Sequence, residues 1–105
     1  MATGVDDAVF GALADPTRRR LIRLLGERPG ATATALAAEM PITRQAVQKH
    51  LSALSSAGLA ASERSGREVH YGLTPAPLSE AVAWMTSVGA QWDERLAALG
   101  RALGA

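Results

Sequence analysis

Cysteine is absent from this 105-residue chain, which excludes a disulfide framework, a thiolate metal site and a thiol redox switch together. Aromatic residues are scarce: two Trp, one Tyr and one Phe. A chain that is 48% hydrophobic with so few rings must build its core from Leu, Ala and Val. That mixture favours helices, because alanine and leucine lead the helix propensity scale. No apolar run approaches the ~20 residues that span a bilayer, and the N-terminus lacks a signal-peptide pattern, so the expected location is the cytoplasm. Catalytic constellations are missing as well. Asp6-Asp7 and Asp93-Glu94 are adjacent acids that point in different directions on a helix, and neither a phosphate-cradling glycine loop nor a Ser/His/Asp set is present, so the chain does not read as an enzyme. Linkers, internal repeats and low-complexity tracts are also lacking. The length fits one domain over residues 1–105, small enough that a partner subunit would add much of the buried area.

What is present is unevenly placed. The formal net charge is only +1, but residues 16–74 hold nine Lys/Arg against four Asp/Glu, a net of +5. Residues 1–15 contribute −3 and residues 75–105 contribute −1. A central basic patch between mildly acidic ends implies an anionic partner more strongly than the total does.

The hydrophobic spacing predicts a first helix over 6–14, with acids in its first turn and Val9, Phe10 and Leu13 at helical spacing. Asp15 suits an N-cap and Pro16 the first position of a second helix, whose stripe is Leu21, Leu24 and Leu25 with Ile22 beside it. Arg18, Arg19, Arg20 and Arg23 point outward from it, and Arg28-Pro29-Gly30 ends it. Thr32 or Thr34 caps a short third helix around TALAAEM, halted by Pro41. Thr43 caps a fourth, in which Ile42 staples onto Val47, and Gly58 stands where a left-handed C-terminal residue belongs. LAASER and EVHYGLT flank Ser65-Gly66-Arg67. Val69, Tyr71 and Leu73 alternate with Glu68, His70 and Gly72, which predicts a hairpin with its second strand half-buried. From Pro77 a long helix carries Leu78, Val82, Met85, Gly89, Trp92, Leu96, Leu99 and Leu103 at alternating spacings of four and three, a seam of the kind that packs on a partner helix.

The fourth helix carries the chemistry. Val47, Leu51 and Leu54 want a core, while Arg44, Gln45, Gln48, Lys49 and Ser52 crowd the opposite face without one acid. The third and fourth helices, joined by a short connection, form a helix-turn-helix over a reading region of 32–74. A major groove ~12 Å wide accepts one helix, entered by the N-terminal end of the second. Gln45 and Gln48 are three apart and Arg44 and Gln48 four apart, so they share one side. Gln pairs with the adenine edge, Arg or Lys with guanine. Thr43, Arg44, Gln45, Gln48, Lys49 and Ser52, with Arg64 and Arg67 at the hairpin tip, are the candidate DNA-contacting residues. A bland alternative is a solvated helix face; the preceding short helix, the tight turn and the basic hairpin argue against it. Arg18, Arg19 and Arg20 either solvate their helix or lend one contact to a phosphate.

LADPTRRRLIRLL (13–25), ALAAEMPITRQAVQKHLSALSSAGLAASERSGREVHYGLT (35–74) and WDERL (92–96) together resemble the ArsR family of bacterial winged helix-turn-helix repressors, over roughly residues 8–100. WDERL further resembles the metal-independent, autoregulator-like branch. The resemblance implies a mainly α fold of about five helices with a two-stranded β-hairpin wing. It also implies homodimerisation through the first and last helices, over about 5–14 and 77–104, and repression by occupancy of an imperfect inverted-repeat operator in double-stranded DNA. Val9, Leu78, Val82, Met85, Trp92, Leu96 and Leu99 are then the expected dimer interface.

The departures from the family bear on metals. Sensor members carry a cysteine pair before the reading helix, or Asp/His ligands on the last helix. Here the last helix has Glu80, Asp93 and Glu94 but no histidine. His50 and His70 lack a second ligand at metal spacing, so no metal and no cofactor is expected. His50 reads as a structural or phosphate-facing residue, His70 as solvent-side on its strand, and Tyr71 as core. Trp84 and Trp92, eight apart, read as dimer packing, with a small-molecule pocket as the alternative. Two other functions stay open: a metal- or small-molecule-responsive sensor of the same fold, and a winged-helix protein-interaction module.

Overall fold

A computed structural model describes residues 7–104. The order is α1 (Asp7–Ala14), α2 (Pro16–Glu27), α3 (Ala33–Ala37), α4 (Arg44–Ser56), β1 (Ala60–Ser65), β2 (Glu68–Leu73) and α5 (Ala76–Ala102). Asp6 and Val5, included in the expected first helix and dimerisation segment, lie outside the described residues.

Side-chain caps set three of the helix starts. The Asp15 carboxylate accepts from the backbone N–H groups of Thr17 (2.8 Å) and Arg18 (3.3 Å), with Pro16 in the first turn of α2. Of the two threonines that could open α3, Thr32 does so, its Oγ1 accepting from Ala35 N–H at 3.1 Å. Thr43 does the same for α4 through Ala46 N–H, also at 3.1 Å. Each cap satisfies a donor that the first helical turn leaves without an internal partner. α3 is shorter than TALAAEM suggests: it ends at Ala37, and Ala38 to Pro41 turn through backbone bonds such as Met40 N–H to Ala37 C=O (3.2 Å). Gly58, at φ 77°, leaves α4 in the left-handed conformation that glycine adopts without steric cost.

The core joins every element through one apolar cluster. Leu21 and Leu25 of α2, Leu36 of α3, Val47, Leu51 and Leu54 of α4, and Leu59 before β1 are fully buried. Removing each such leucine from water is worth ~1.5–3 kcal/mol, so α4 is held by its inner stripe and its outer face has no choice of direction. Ile42 packs against the same cluster, as the staple reading requires.

β1 and β2 pair antiparallel from Ala60↔Leu73 to Ser65↔Glu68, with Gly66 at φ 62° in the turn. Only Ala60 of β1 is buried, so the hairpin projects from the body. Its base is anchored by a feature the alternation pattern does not announce. Tyr71 forms an isolated antiparallel bridge with Ala31, donating its N–H to Ala31 C=O (2.9 Å) and accepting from Gly30 N–H (3.0 Å). Tyr71 is half-buried against the core, as its inward register predicts.

α5 is 27 residues long and touches the rest of the chain through its first turns. Leu78 packs on the core, Ala81 is buried, and Trp84 meets Phe10 of α1 edge-to-face, ring centroids 5.6 Å apart. The helix then runs on alone, giving the chain a long dimension of 67 Å against 29 and 20 Å. No helix among the described residues is long and apolar enough to cross a membrane.

Candidate nucleic-acid interface

Burial of Val47, Leu51 and Leu54 forces the other side of α4 outward, and Thr43, Arg44, Gln45, Gln48, Lys49 and Ser52 are all exposed. The hairpin tip presents Arg64 and Arg67, equally exposed. Because the Ala31–Tyr71 bridge pins β2 to the connection between α2 and α3, the wing stands beside the starts of α3 and α4. Between them lies an open concavity of about 320 Å³, lined by Thr32, Thr34, Arg44, Gln48, Arg67 and Glu68, with Val69 and Tyr71 at its floor. The fold therefore brings Arg44, Gln48 and Arg67 to one hollow. Gln45, Lys49, Ser52 and Arg64 do not line it.

His70 departs from its expected solvent-side role. Its Nδ1 lies 2.7 Å from Gly30 C=O, which accepts the ring proton, and its Nε2 is 3.4 Å from the Glu68 carboxylate. The residue is a wing anchor. Residue spacing carries no sign of it, because Gly30 is forty positions away in sequence and reaches His70 only through the bridge.

His50 is structural. Its Nδ1 accepts from Arg18 Nε at 3.3 Å, tying α4 to the first turn of α2. Partial desolvation works to raise the Asp15 carboxyl, but the backbone N–H groups of Arg18 and Thr17, with the Arg18 guanidinium nearby, hold it below the ordinary aspartate value. The remaining arginines of the triple run are engaged inside the chain as well. Arg19 Nη1 donates to Leu13 C=O (2.7 Å) and Arg20 Nη2 to Glu39 C=O (3.0 Å), while the Glu39 carboxylate pairs with Arg28 Nε at 2.6 Å. The run fastens α2 to α1, to the turn after α3 and to α4, a use that a view of it as a solvated face misses.

On α5 the expected seam lies in the open. Trp92 is 57% exposed, Leu96 60% and Leu99 54%, and Val82, Met85 and Leu103 are exposed with them. Two residues expected at the interface also pack within the chain: Val9 is 3% exposed in the core, and Leu78 is half-buried against that core. Trp84, itself 39% exposed, packs one edge on Phe10, while Trp92 stands further out with the Arg95 guanidinium 5.7 Å from its ring centroid. Among the described residues no three His, Asp or Glu side chains gather as a metal site would require.

A short helix, a turn, an acid-free exposed helix and a hairpin with two arginines near its tip beside it define a winged helix-turn-helix. Residues 13–63 match the helix-turn-helix domain family. The chain is 44% identical over 70 residues to the HTH-type transcriptional regulator YuzN of Bacillus subtilis (strain 168), covering 61% of this chain and 76% of that one. It is 32% identical over 77 residues to the transcriptional repressor SdpR of the same organism, covering 73% and 84%. An ArsR-like transcriptional regulator from Rhodococcus sp. RHA1 superposes with a TM-score of 0.83 at 41% identity, over 90% of this chain and 85% of that one. The chain belongs to the ArsR-like family of helix-turn-helix transcriptional regulators.

Proposed function

We propose that the protein is a homodimeric repressor that places two α4 helices in successive major grooves of one duplex, ~34 Å apart, on an imperfect inverted repeat. The observation that carries this reading is the exposed seam of α5. A monomer that leaves Val82, Met85, Trp92, Leu96, Leu99 and Leu103 open along one helix has a large apolar surface that the described residues do not cover, and a second copy of the same helix supplies a matching stripe. A pair of reading helices then follows by symmetry, and a two-fold protein selects a two-fold site.

In this reading Gln45, Gln48 and one or more of Arg44 and Lys49 meet base edges. Thr43, Ser52, Arg64 and Arg67 meet sugar and phosphate, the share of contacts that positions a protein without specifying sequence. Regulation comes from occupancy of DNA rather than from catalysis, in the cytoplasm, where the DNA is. The test is quantitative footprinting of the DNA upstream of the protein's own gene. Protection of two half-sites one helical turn apart supports the proposal. Absence of protection at low salt refutes it and favours a protein-interaction module; loss of protection on adding a metal or a small hydrophobic molecule favours the sensor.

A further inference from the structure

A duplex contacted by α4 in a major groove and by the wing in the neighbouring minor groove has a fixed geometric consequence. The two grooves are separated by one sugar–phosphate strand, and that strand has to pass between helix and hairpin. In this chain the space between helix and hairpin is the concavity of about 320 Å³, and its lining includes one arginine from each side: Arg44 from the first turn of α4 and Arg67 from the wing. Gln48 and the exposed hydroxyl of Thr34 complete the polar lining. Glu68 also borders it, its carboxylate 3.4 Å from His70 Nε2 on the wing itself.

We infer that Arg44 and Arg67 close on one and the same backbone phosphate, the one dividing the groove read by α4 from the groove touched by the wing. This rests on the DNA-binding reading above and goes further, because it removes Arg44 from the base-reading set and joins it to a residue twenty-three positions away on another element. Both guanidinium groups are exposed, and no hydrogen bond or ion pair within the described residues holds either. Base discrimination then falls on Gln45, Gln48 and Lys49. The wing's position becomes part of the clamp, because His70 and the Ala31–Tyr71 bridge set how far Arg67 stands from Arg44.

The experiment uses the full chain and the duplex upstream of its gene, with single phosphates replaced in turn by neutral methylphosphonates, and compares wild type, Arg44→Ala, Arg67→Ala and the double variant by fluorescence anisotropy. Each single variant is expected to lose roughly ten-fold in affinity on the natural duplex, with equal losses on random sequence. In each half-site one methylphosphonate position should abolish the effect of both substitutions at once. For each bound subunit, the slope of log affinity against log salt should fall by about one in the double variant, as for one phosphate, rather than by about two. Sensitivity at two different phosphates, or independent losses at every position, overturns the shared clamp while leaving DNA binding intact. Failure of the wild type to bind any duplex at low salt overturns the clamp and the DNA-binding reading together. Unchanged thermal unfolding of both variants, expected for exposed side chains, shows that a loss is one of contact and not of fold.

Discussion

Arg18 Nε and His50 Nδ1 stand 3.3 Å apart, one on the first turn of α2 and the other in the middle of α4. For Nδ1 to accept this bond the imidazole proton must sit on Nε2, so the pair works with neutral histidine. The bond adds a polar tether to a helix otherwise held by leucines, and it lies on the side of α4 away from the candidate DNA face. His50→Ala is expected to weaken binding to the natural duplex several-fold while lowering stability by only ~1 kcal/mol, the net worth of one hydrogen bond. His50→Gln, whose carbonyl can still accept from Arg18, should restore most of the affinity. Equal binding by wild type and His50→Ala would mean that the tether does not orient the helix.

Gln48 is the residue for which base recognition has the firmest geometric support. It is exposed, one turn into α4, and shares a side with Gln45 and Arg44. Gln48→Ala should relax the requirement at one base position per half-site, with a cost of ~1–3 kcal/mol for the preferred base and little for the others. Binding to a panel of duplexes, each with one base pair changed, measures this. Uniform losses across the panel would assign Gln48 to the backbone.

The α5 seam gives a prediction about assembly. Leu96 and Leu99 are among its most exposed leucine side chains, on a stretch of helix that rests on no other element among the described residues. Each contributes ~1.5–3 kcal/mol if a second copy covers it. Leu96→Glu with Leu99→Glu should convert a dimer to a monomer in analytical ultracentrifugation, with the monomer still folded by circular dichroism and its DNA affinity reduced at least a hundred-fold, roughly the loss of one 3 kcal/mol contact. A wild-type monomer, or a variant that remains dimeric, contradicts the proposed assembly.

Asp15 links pH to stability. Its carboxylate caps α2 and titrates below the ordinary aspartate range, so it is charged more readily in the folded chain than in the unfolded one. The stabilisation is therefore complete above the unfolded aspartate pKa and is lost as pH falls through the lower, folded value. At neutral pH Asp15→Ala should melt at a lower temperature than wild type, and the gap should close in strong acid. Asp15→Asn, which keeps an accepting oxygen without the charge, should melt between the two at neutral pH. Melting curves across the acid range decide the matter, and a gap independent of pH would show that the charge adds nothing to the cap.

Much of this architecture was legible because its causes are local. Thr32, Thr43 and Asp15 cap helices through bonds to residues two or three positions on, and Gly58 and Gly66 take up left-handed backbone at turns. The stripe Val47–Leu51–Leu54 dictates which side of α4 is left outside. What residue order does not show has the opposite property. Strand alternation points His70 to solvent, yet its ring bonds Gly30 C=O forty positions away, and Val9 packs into a core built from distant elements. Arg18, Arg19 and Arg20 looked alike as a charge run, yet they reach three different places.

By itself the sequence determined the caps of α2 and α4, the hairpin, the acid-free face of α4 and the seam of α5, because periodicity, capping and turn chemistry act over a few residues. Only the tertiary structure decided that Arg44 and Arg67 border one hollow, that Trp84 meets Phe10 while Trp92 meets only its helix neighbour Arg95 among the described residues, and that the wing is pinned at Gly30 and Ala31. Those relations depend on how packed elements are oriented in space. That orientation comes from burial of a shared core and from backbone bonds between distant segments, neither of which has a signature in local residue order.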